Sequence, residues 1–352
     1  LNNNLKLIEK EANEQDFIFT NMKEGIVALN ASDRIIKIND SAVSIYNCDN
    51  KGIKGRVVEA VIRNQDFLKL LEQIKLNKEN IKTDITIHGV NKKVIQVNAN
   101  CIIDPNGKYL GTLFVSADIT KVRQLESMRT DFVSNVSHEL KTPLTSIKGY
   151  VESLLISENP KPEILHNFLQ KIEKNSIRLQ TIIEDLLMLS KVEQGGLQES
   201  DIENVRLIQI VNEIIDQCQQ KNYDISSLNI RCSEDIYIKA HKLLFIQALL
   251  NLVDNAFKYS EDNIKISISA DKIDNNVEIS VSDCGPGIDN KHIPHLLERF
   301  YRIDKARSRD KGGSGLGLSI VKHIVQAHKG NIEIYSSLGE GSTFKIIMPF
   351  IS

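Results

Sequence analysis

A histidine followed directly by an acid stands inside a helical pattern at residues 138–144, which read HELKTPL. Apolar residues recur around it every three or four positions, which predicts a helix with one buried face. At about 100° per residue, His138 lies roughly 200° from Val136 and from Leu140, so it belongs to the outer face. An exposed imidazole beside Glu139 suits nucleophilic chemistry, although a surface histidine on an amphipathic helix has the same pattern. The apolar stripe consists of Val133, Val136, Leu140, Leu144, Ile147, Val151 and Leu154.

Three further segments combine amides, an acid and glycines: residues 251–260 (NLVDNAFKYS), 283–287 (DCGPG) and 313–318 (GSGLGL). Asn251 and Asn255 are four residues apart, so their amides share one helix face, where they can ligate Mg²⁺ or hold its waters beside phosphates. Two satisfied structural amides are the alternative. The glycines at 313–317 open a helix whose backbone amides favour phosphate. Asp283 ends a predicted strand and is followed closely by two glycines. The alternative is that Asp283 is an ordinary acidic residue in a turn.

Together, and in this order, the four segments resemble the H, N and two glycine boxes of sensor histidine kinases. The resemblance covers residues 119–352 closely, and a weaker one, to the PAS sensor fold, covers residues 18–118. It implies ATP-dependent phosphorylation of His138, followed by transfer of the phosphoryl group to an Asp of a separate response regulator. The acceptor is expected on another chain because no receiver-like sequence follows.

The resemblance also implies roles for individual residues. Glu139 would hold or accept the ring proton of His138, and Asn255 would ligate Mg²⁺. Asp283 would accept the amino proton of adenine. Thr142 would orient a water for phospho-aspartate hydrolysis, unless it is only a surface threonine. Further nucleotide contacts are expected at Asn251, Lys258, Tyr259, Gly285, Gly287, Arg302, Gly313, Gly315, Leu316 and Gly317.

The elements that position these residues divide the chain into four parts. Residues 1–17 are predicted as a linker helix and residues 18–118 as a PAS-like α/β sensor module. The module has predicted strands at 26–29, 34–38, 81–87, 93–103 and 109–117, with a turn at 104–107. Residues 119–197 are predicted as a helical hairpin. Residues 198–352 are predicted as an α/β-sandwich ATP-binding domain, so the fold class is multidomain α+β.

The hairpin is predicted from two long amphipathic segments. The first helix runs from about Thr120 past Tyr150, and prolines at 160 and 162 separate it from the second. Pro143 removes a helical N–H and predicts a bend just past His138. The second helix ends at the glycines at 195–196. Neither helix can bury its apolar face alone, so we expect a homodimer with a four-helix bundle. Its inward residues are Leu165, Phe168, Ile172, Leu179, Ile182, Leu186 and Leu189.

In the last part, helices are predicted at 205–220 and 241–258 and strands at 264–270, 277–282, 331–335 and 342–348. The segment from Phe300 to Gly313 is polar and glycine-rich, which suits a lid over ATP. Two other functions remain open at this point. An ATPase of the same nucleotide fold would lack phosphotransfer, and the His138 segment argues against it. A binding scaffold with decayed catalysis would have no need of Asn255 and Asp283.

Composition narrows the class of protein. The chain has 352 residues and a formal net charge of −2, so it lacks the broad basic surface of a direct nucleic-acid binder. Its five cysteines form no Cys-x-x-Cys pair, which suits a reducing compartment. No apolar run approaches the ~18 residues of a membrane span. Because Leu1 already stands in a helical pattern, we expect the cytoplasmic portion of a cell-membrane protein anchored outside this sequence. A processed soluble protein is the alternative.

Overall fold

A computed structural model describes residues 10, 13–14, 16–49, 52–89, 92–157, 160–193, 199–260, 264–303 and 313–350. The chain divides into two compact units, an N-terminal unit of residues 1–131 and a C-terminal unit of residues 132–352. In these described ranges, no helix is both long enough and apolar enough to cross a lipid bilayer. Most of the predicted linker helix lies outside them, although residues 16–21 are helical.

The N-terminal unit is one antiparallel sheet with short helices. Its strands pair in the order β2-β1-β5-β4-β3. All five predicted strands are found within one residue of the predicted bounds. The elements are β1 (Gly25–Asn30), β2 (Ile35–Ile38), α1 (Asp40–Tyr46), α2 (Gln65–Asn77), β3 (Ile81–Ile87), β4 (Lys93–Ile103) and β5 (Tyr109–Asp118). The rings of Phe67 and Phe114 lie 4.4 Å apart at the centre of the core, and Tyr46 packs edge-on against Phe67.

Asn39 joins the first elements of this unit, and only 2% of its surface is exposed. Its side-chain oxygen accepts the backbone amides of Ala42 and Ile26, which caps α1 and fixes it to β1. Its side-chain nitrogen donates to the carbonyls of Phe19 and Glu24. One buried amide thereby satisfies four backbone groups.

Two long helices form the predicted hairpin: α3 (Thr120–Ile156), which passes through Pro143, and α4 (Pro162–Glu193). The predicted stop at Gly195 and Gly196 lies outside the described residues. Tyr150 and Phe168 contact each other across the hairpin, with ring centroids 5.3 Å apart. Within the single chain much of the apolar stripe stays open, since Val133 is 58% and Leu144 60% exposed.

The remainder of the C-terminal unit is an α/β sandwich. Its main sheet has the strand order β11-β12-β10-β9-β7, and β6 pairs with β8 in a second, two-stranded sheet. The elements are β6 (Glu203–Arg206), α5 (Leu207–Gln220), β7 (Leu228–Cys232), β8 (Tyr237–Ala240), α6 (Lys242–Tyr259), β9 (Ile266–Ile273), β10 (Asn276–Asp283), α7 (Gly317–Ala327), β11 (Asn331–Ser337) and β12 (Gly341–Pro349). Helix α6 has ten buried residues and packs on β9, β10, α5 and α7.

Two sequence predictions for this domain were wrong. The helix predicted from Val205 begins at Leu207, because Val205 and Arg206 pair with β8 as part of β6. Strands β6, β7 and β8 were not predicted at all. All three are only four or five residues long, so they contain too few alternations to be distinguished from loops.

Candidate functional site

The HELKTPL segment lies in the middle of α3, as its spacing predicted. The side chain of His138 is exposed, and that of Thr142 is exposed one turn further on. The Thr142 hydroxyl donates to the backbone carbonyl of His138 over 3.1 Å, as serines and threonines inside helices often do. The side chains of His138 and Thr142 are therefore on the same side of α3.

The Glu139 carboxylate turns away from solvent toward α4. Its Oε2 atom accepts a hydrogen bond from Nη2 of Arg178 over 2.9 Å, and Nη1 of Arg302 lies 3.7 Å from the same oxygen. Within the described part of the chain, no hydrogen bond joins Glu139 to His138. Arg302, which the sequence analysis assigned to phosphate, lies here at the acid of the hairpin.

A cavity of about 1340 Å³ opens in the C-terminal unit beside α6, α7 and the end of β10. It brings together most of the residues that were predicted to contact nucleotide. Gly285 and Leu316 do not line it. Leu316 belongs to the hydrophobic core, and Gly285 is buried beside Asp283. The predicted residues that do line the cavity are Asn251, Asn255, Lys258, Tyr259, Asp283, Gly287, Arg302, Gly313, Gly315 and Gly317.

Asp283 ends β10 with a partly buried carboxylate that lines the cavity. Burial raises the pKa of Asp283, although the backbone amides of Gly285 and Ser342 act in the opposite direction. A Cβ atom at Gly285 would come within 2.8 Å of the Asp283 carboxylate, and one at Gly287 would come within 1.9 Å of the Ser337 carbonyl. Gly287 also has φ +70°. A side chain at Gly285 would displace the Asp283 carboxylate, and one at Gly287 would collide with backbone atoms, so glycine at both positions keeps the space beside the acid open.

The amides of α6 face the start of α7. Asn251 and Asn255 share one helix face, and Asn251 points its side-chain nitrogen at the Gly317 carbonyl over 3.4 Å. Gly315 has φ +74°, and its carbonyl accepts the backbone amide of Phe300 over 2.8 Å. A Cβ atom at Gly315 would come within 2.9 Å of the Phe300 Cα atom. Residues 313–317, called the glycine loop below, therefore hold the segment that leads to Arg302.

Two family models match parts of the chain. Residues 128–195 match the His Kinase A (phospho-acceptor) domain family, and residues 240–352 match the histidine kinase-, DNA gyrase B-, and HSP90-like ATPase family. Sensor protein kinase WalK of Staphylococcus aureus is 32% identical over 346 residues, which cover 97% of this chain and 82% of that protein. The chain belongs to the sensor histidine kinase family. The sequence-based prediction of the family is confirmed.

Other relatives are longer than this chain. Sensor protein kinase WalK of Staphylococcus aureus strain Newman is also 32% identical, but the match covers 56% of its length. The chain thus spans about half the length of several curated relatives. The crystal structure of histidine kinase ThkA with response regulator protein TrrA matches 93% of this chain and 96% of that one, with 21% identity and a TM-score of 0.52. That likeness confirms the predicted fold of helical hairpin and α/β sandwich.

Sequence reasoning missed two charged residues on α4. Besides Arg178, Asp185 accepts a hydrogen bond from the Ser314 hydroxyl of the glycine loop over 2.7 Å. Burial raises the pKa of Asp185, while the Ser314 hydrogen bond and the charge of Lys258 act against it. Residues 178 and 185 are seven apart, so they share one helix face with the buried Ile182 and Leu189. Charges on an apolar helix face were the available signal.

Proposed function

We propose that this chain is an ATP-dependent protein-histidine kinase that phosphorylates His138 and passes the phosphoryl group to an Asp of a separate response regulator. The proposal is supported by two sites that lie in the same compact unit. One is an exposed His138 beside a carboxylate. The other is a cavity lined by Asp283, Asn255 and Lys258. A plain ATPase would not need the first site.

The chemistry requires a neutral imidazole, because only the neutral ring presents a nitrogen with a free lone pair. That lone pair attacks the γ-phosphorus of ATP, and the bond to the bridging oxygen breaks as ADP leaves. The proton on the other ring nitrogen needs an acceptor, and Glu139 is the adjacent acid.

ATP and Mg²⁺ are assigned to the cavity on the donor groups present. Asp283 would hold the adenine amino group, and Lys258 with the glycine loop would meet the phosphates. Asn255 would ligate Mg²⁺, which typically takes one or two protein ligands and completes its shell with waters and phosphate oxygens. An ATP-binding titration with and without a chelator tests this, and equal affinities would argue against the metal.

A homodimer is supported by the apolar surface that the hairpin leaves open. The large apolar side chains of α3 and α4 exposed in the single chain are Val122, Leu125, Met128, Val133, Leu144, Val151, Leu155, Ile156, Ile164, Leu165, Leu169, Ile177, Ile183 and Leu187. A second copy that buries this stripe would complete a four-helix bundle. Sedimentation equilibrium at micromolar concentration tests it, and a monomer there would contradict the proposal. Phosphatase activity toward the regulator and a membrane anchor outside this sequence stay predictions.

The decisive experiment uses γ-labelled ATP with Mg²⁺ and compares the chain with His138→Gln. We expect an acid-labile, base-stable label on the parent chain and none on the variant, with ATP affinity unchanged. His166→Gln is the matched control, because His166 is an exposed histidine on the other helix of the hairpin. Label that persists in His138→Gln would refute the assignment of the nucleophile.

A further inference from the structure

Glu139 and Arg178 form an ion pair that belongs to the hairpin alone. One residue lies on α3 and the other on α4, 39 positions later, and the bond between them measures 2.9 Å. The side chains are only 19% and 14% exposed, so solvent screens this pair less than a surface pair. Arg302, by contrast, belongs to the segment beside the glycine loop. Its distance to Glu139 therefore depends on where the ATP-binding domain lies, whereas the distance to Arg178 does not.

Both arginines approach the same carboxylate oxygen. Oε2 of Glu139 accepts from Arg178 and lies 3.7 Å from Nη1 of Arg302, while Oε1 has no hydrogen-bond partner in the described residues. A carboxylate has roughly four acceptor sites on two oxygens, so the pair with Arg178 leaves Oε1 available. The Nε atom of Arg178 is buried without a hydrogen-bond partner in that part of the chain. Hence the guanidinium holds one oxygen and does not engage both.

We propose that Arg178 is a positioning residue for phosphorylation of His138: it holds Oε2 of Glu139 so that Oε1 is presented to the ring proton of His138. The inference rests on the proposed kinase activity. Arg178 does not line the cavity assigned to ATP and makes no hydrogen bond to His138 in the described part of the chain, so it acts through Glu139. In this division of roles the arginine orients the carboxylate, and the free oxygen holds or takes the proton while the other ring nitrogen bonds to the γ-phosphorus.

The test is a double-substitution cycle on the full chain at saturating ATP. Glu139→Gln is expected to lower the rate of phosphohistidine formation by about a hundredfold or more, as the loss of a general base does. Arg178→Gln is expected to lower it by roughly tenfold to a hundredfold through misplacement of the carboxylate. Because Arg178 acts through Glu139, the double variant should be no slower than Glu139→Gln. Arg178→Lys, which keeps one charged donor, should recover part of the rate.

Lys174→Gln is the matched control, since Lys174 is an exposed cation one turn earlier on α4. The KM for ATP should stay constant in all variants, because none of these side chains lines the cavity. If Arg178→Gln slows the Glu139→Gln chain by the same factor as the parent, Arg178 only supports the fold and the inference is wrong. Absence of phosphohistidine in the parent chain would instead refute the proposed function, so the two failures are distinguishable.

Discussion

The N-terminal and C-terminal units use their buried polar groups differently. In the N-terminal unit, Asn39 makes four hydrogen bonds to backbone groups, and the hydroxyls of Tyr46 and Ser116 bond to each other over 2.6 Å. In the C-terminal unit, the Asp283 carboxylate takes two backbone amides and still lines a cavity, while Nδ1 of His241 is buried without a hydrogen-bond partner in the described residues. Buried polar groups whose hydrogen bonds are all made within the protein stabilise the fold. Donors or acceptors beside a cavity that can make further hydrogen bonds are available to a ligand.

The largest effect on stability is expected in the N-terminal unit. Asn39→Ala leaves four backbone groups without their partner and removes the cap of α1, so the free energy of unfolding of this unit should fall by about 3 kcal/mol. ATP affinity should not change, since the cavity belongs to the other unit. Hydrogen exchange of the β1 amides and an ATP titration measure the two effects. Asn106→Ala, at an exposed turn, is the control. If ATP affinity fell together with the stability of the N-terminal unit, Asn39 would not act on that unit alone and the contrast between the units would be wrong.

Asp283→Asn tests whether the carboxylate that lines the cavity of the C-terminal unit accepts a hydrogen bond from the ligand. The variant loses the charged acceptor for the adenine amino group, which costs about 1.5–3 kcal/mol of binding, or roughly tenfold to over a hundredfold in ATP affinity. The preference for ATP over GTP should narrow at the same time. Competition binding with both nucleotides measures this, with Asp289→Asn, outside the cavity lining, as the control. Unchanged affinity and selectivity would refute the adenine role.

The same residue predicts a pH dependence with a defined sign. Burial raises the pKa of Asp283, so the carboxylate takes up its proton at a higher pH than an ordinary aspartate does. The protonated group is a poorer acceptor for the adenine amino proton. ATP affinity should therefore begin to fall, as the pH is lowered, before ordinary carboxylates titrate, and Asp283→Asn should lack this fall.

Thr142→Ala is expected to separate two activities. Its hydroxyl is exposed one turn beyond His138, and alanine keeps the helix intact. Phosphorylation of His138 should stay near the parent rate. Dephosphorylation of a phospho-regulator should slow by about tenfold, because no hydroxyl then orients the attacking water. Decay of purified phospho-regulator with ADP and either chain measures the difference. Equal decay would make Thr142 a surface residue only, and Ser146→Ala, one turn further along α3, is the control.

Sequence predicted the elements and the cavity better than it predicted contacts between distant helices. The strands of the N-terminal unit and the residues around Asp283 follow from local alternation, turns and box spacing. The pairs Glu139–Arg178 and Asp185–Ser314 join residues 39 and 129 positions apart, and no local pattern encodes which charges meet. Strand β8 was missed because four residues give too little periodicity. Local sequence patterns were therefore enough to predict most helices and strands. The contacts between the hairpin and the glycine loop could be found only in the structure.

The smallest effect is expected at His328, which the sequence analysis did not single out. Its Nε2 atom accepts the backbone amide of His241 over 2.9 Å, and its Nδ1 atom contacts the Ile324 carbonyl over 2.7 Å. An amide can only donate and a carbonyl can only accept, so the ring is neutral with its proton on Nδ1. Burial is the main cause that lowers the pKa of His328. The buried ring therefore uses all its capacity inside the fold, like Asn39 in the other unit.

A lowered pKa in the folded state fixes the sign of the pH effect. The unfolded chain takes up the proton at the ordinary pKa of about 6.5, before the folded chain does, so the contribution of His328 is present above that pH and is lost as the pH falls below it. His241 directly precedes α6, which carries Asn251 and Asn255, so the loss should loosen the helix that lines the cavity. We expect the parent chain to lose unfolding free energy through this group as the pH is lowered from about 7.5 to about 5.5. Urea unfolding at both values should show a smaller pH difference in His328→Leu, while His295→Gln, at an exposed histidine, should behave as the parent does. An identical loss in His328→Leu would place the pH dependence elsewhere in the C-terminal unit.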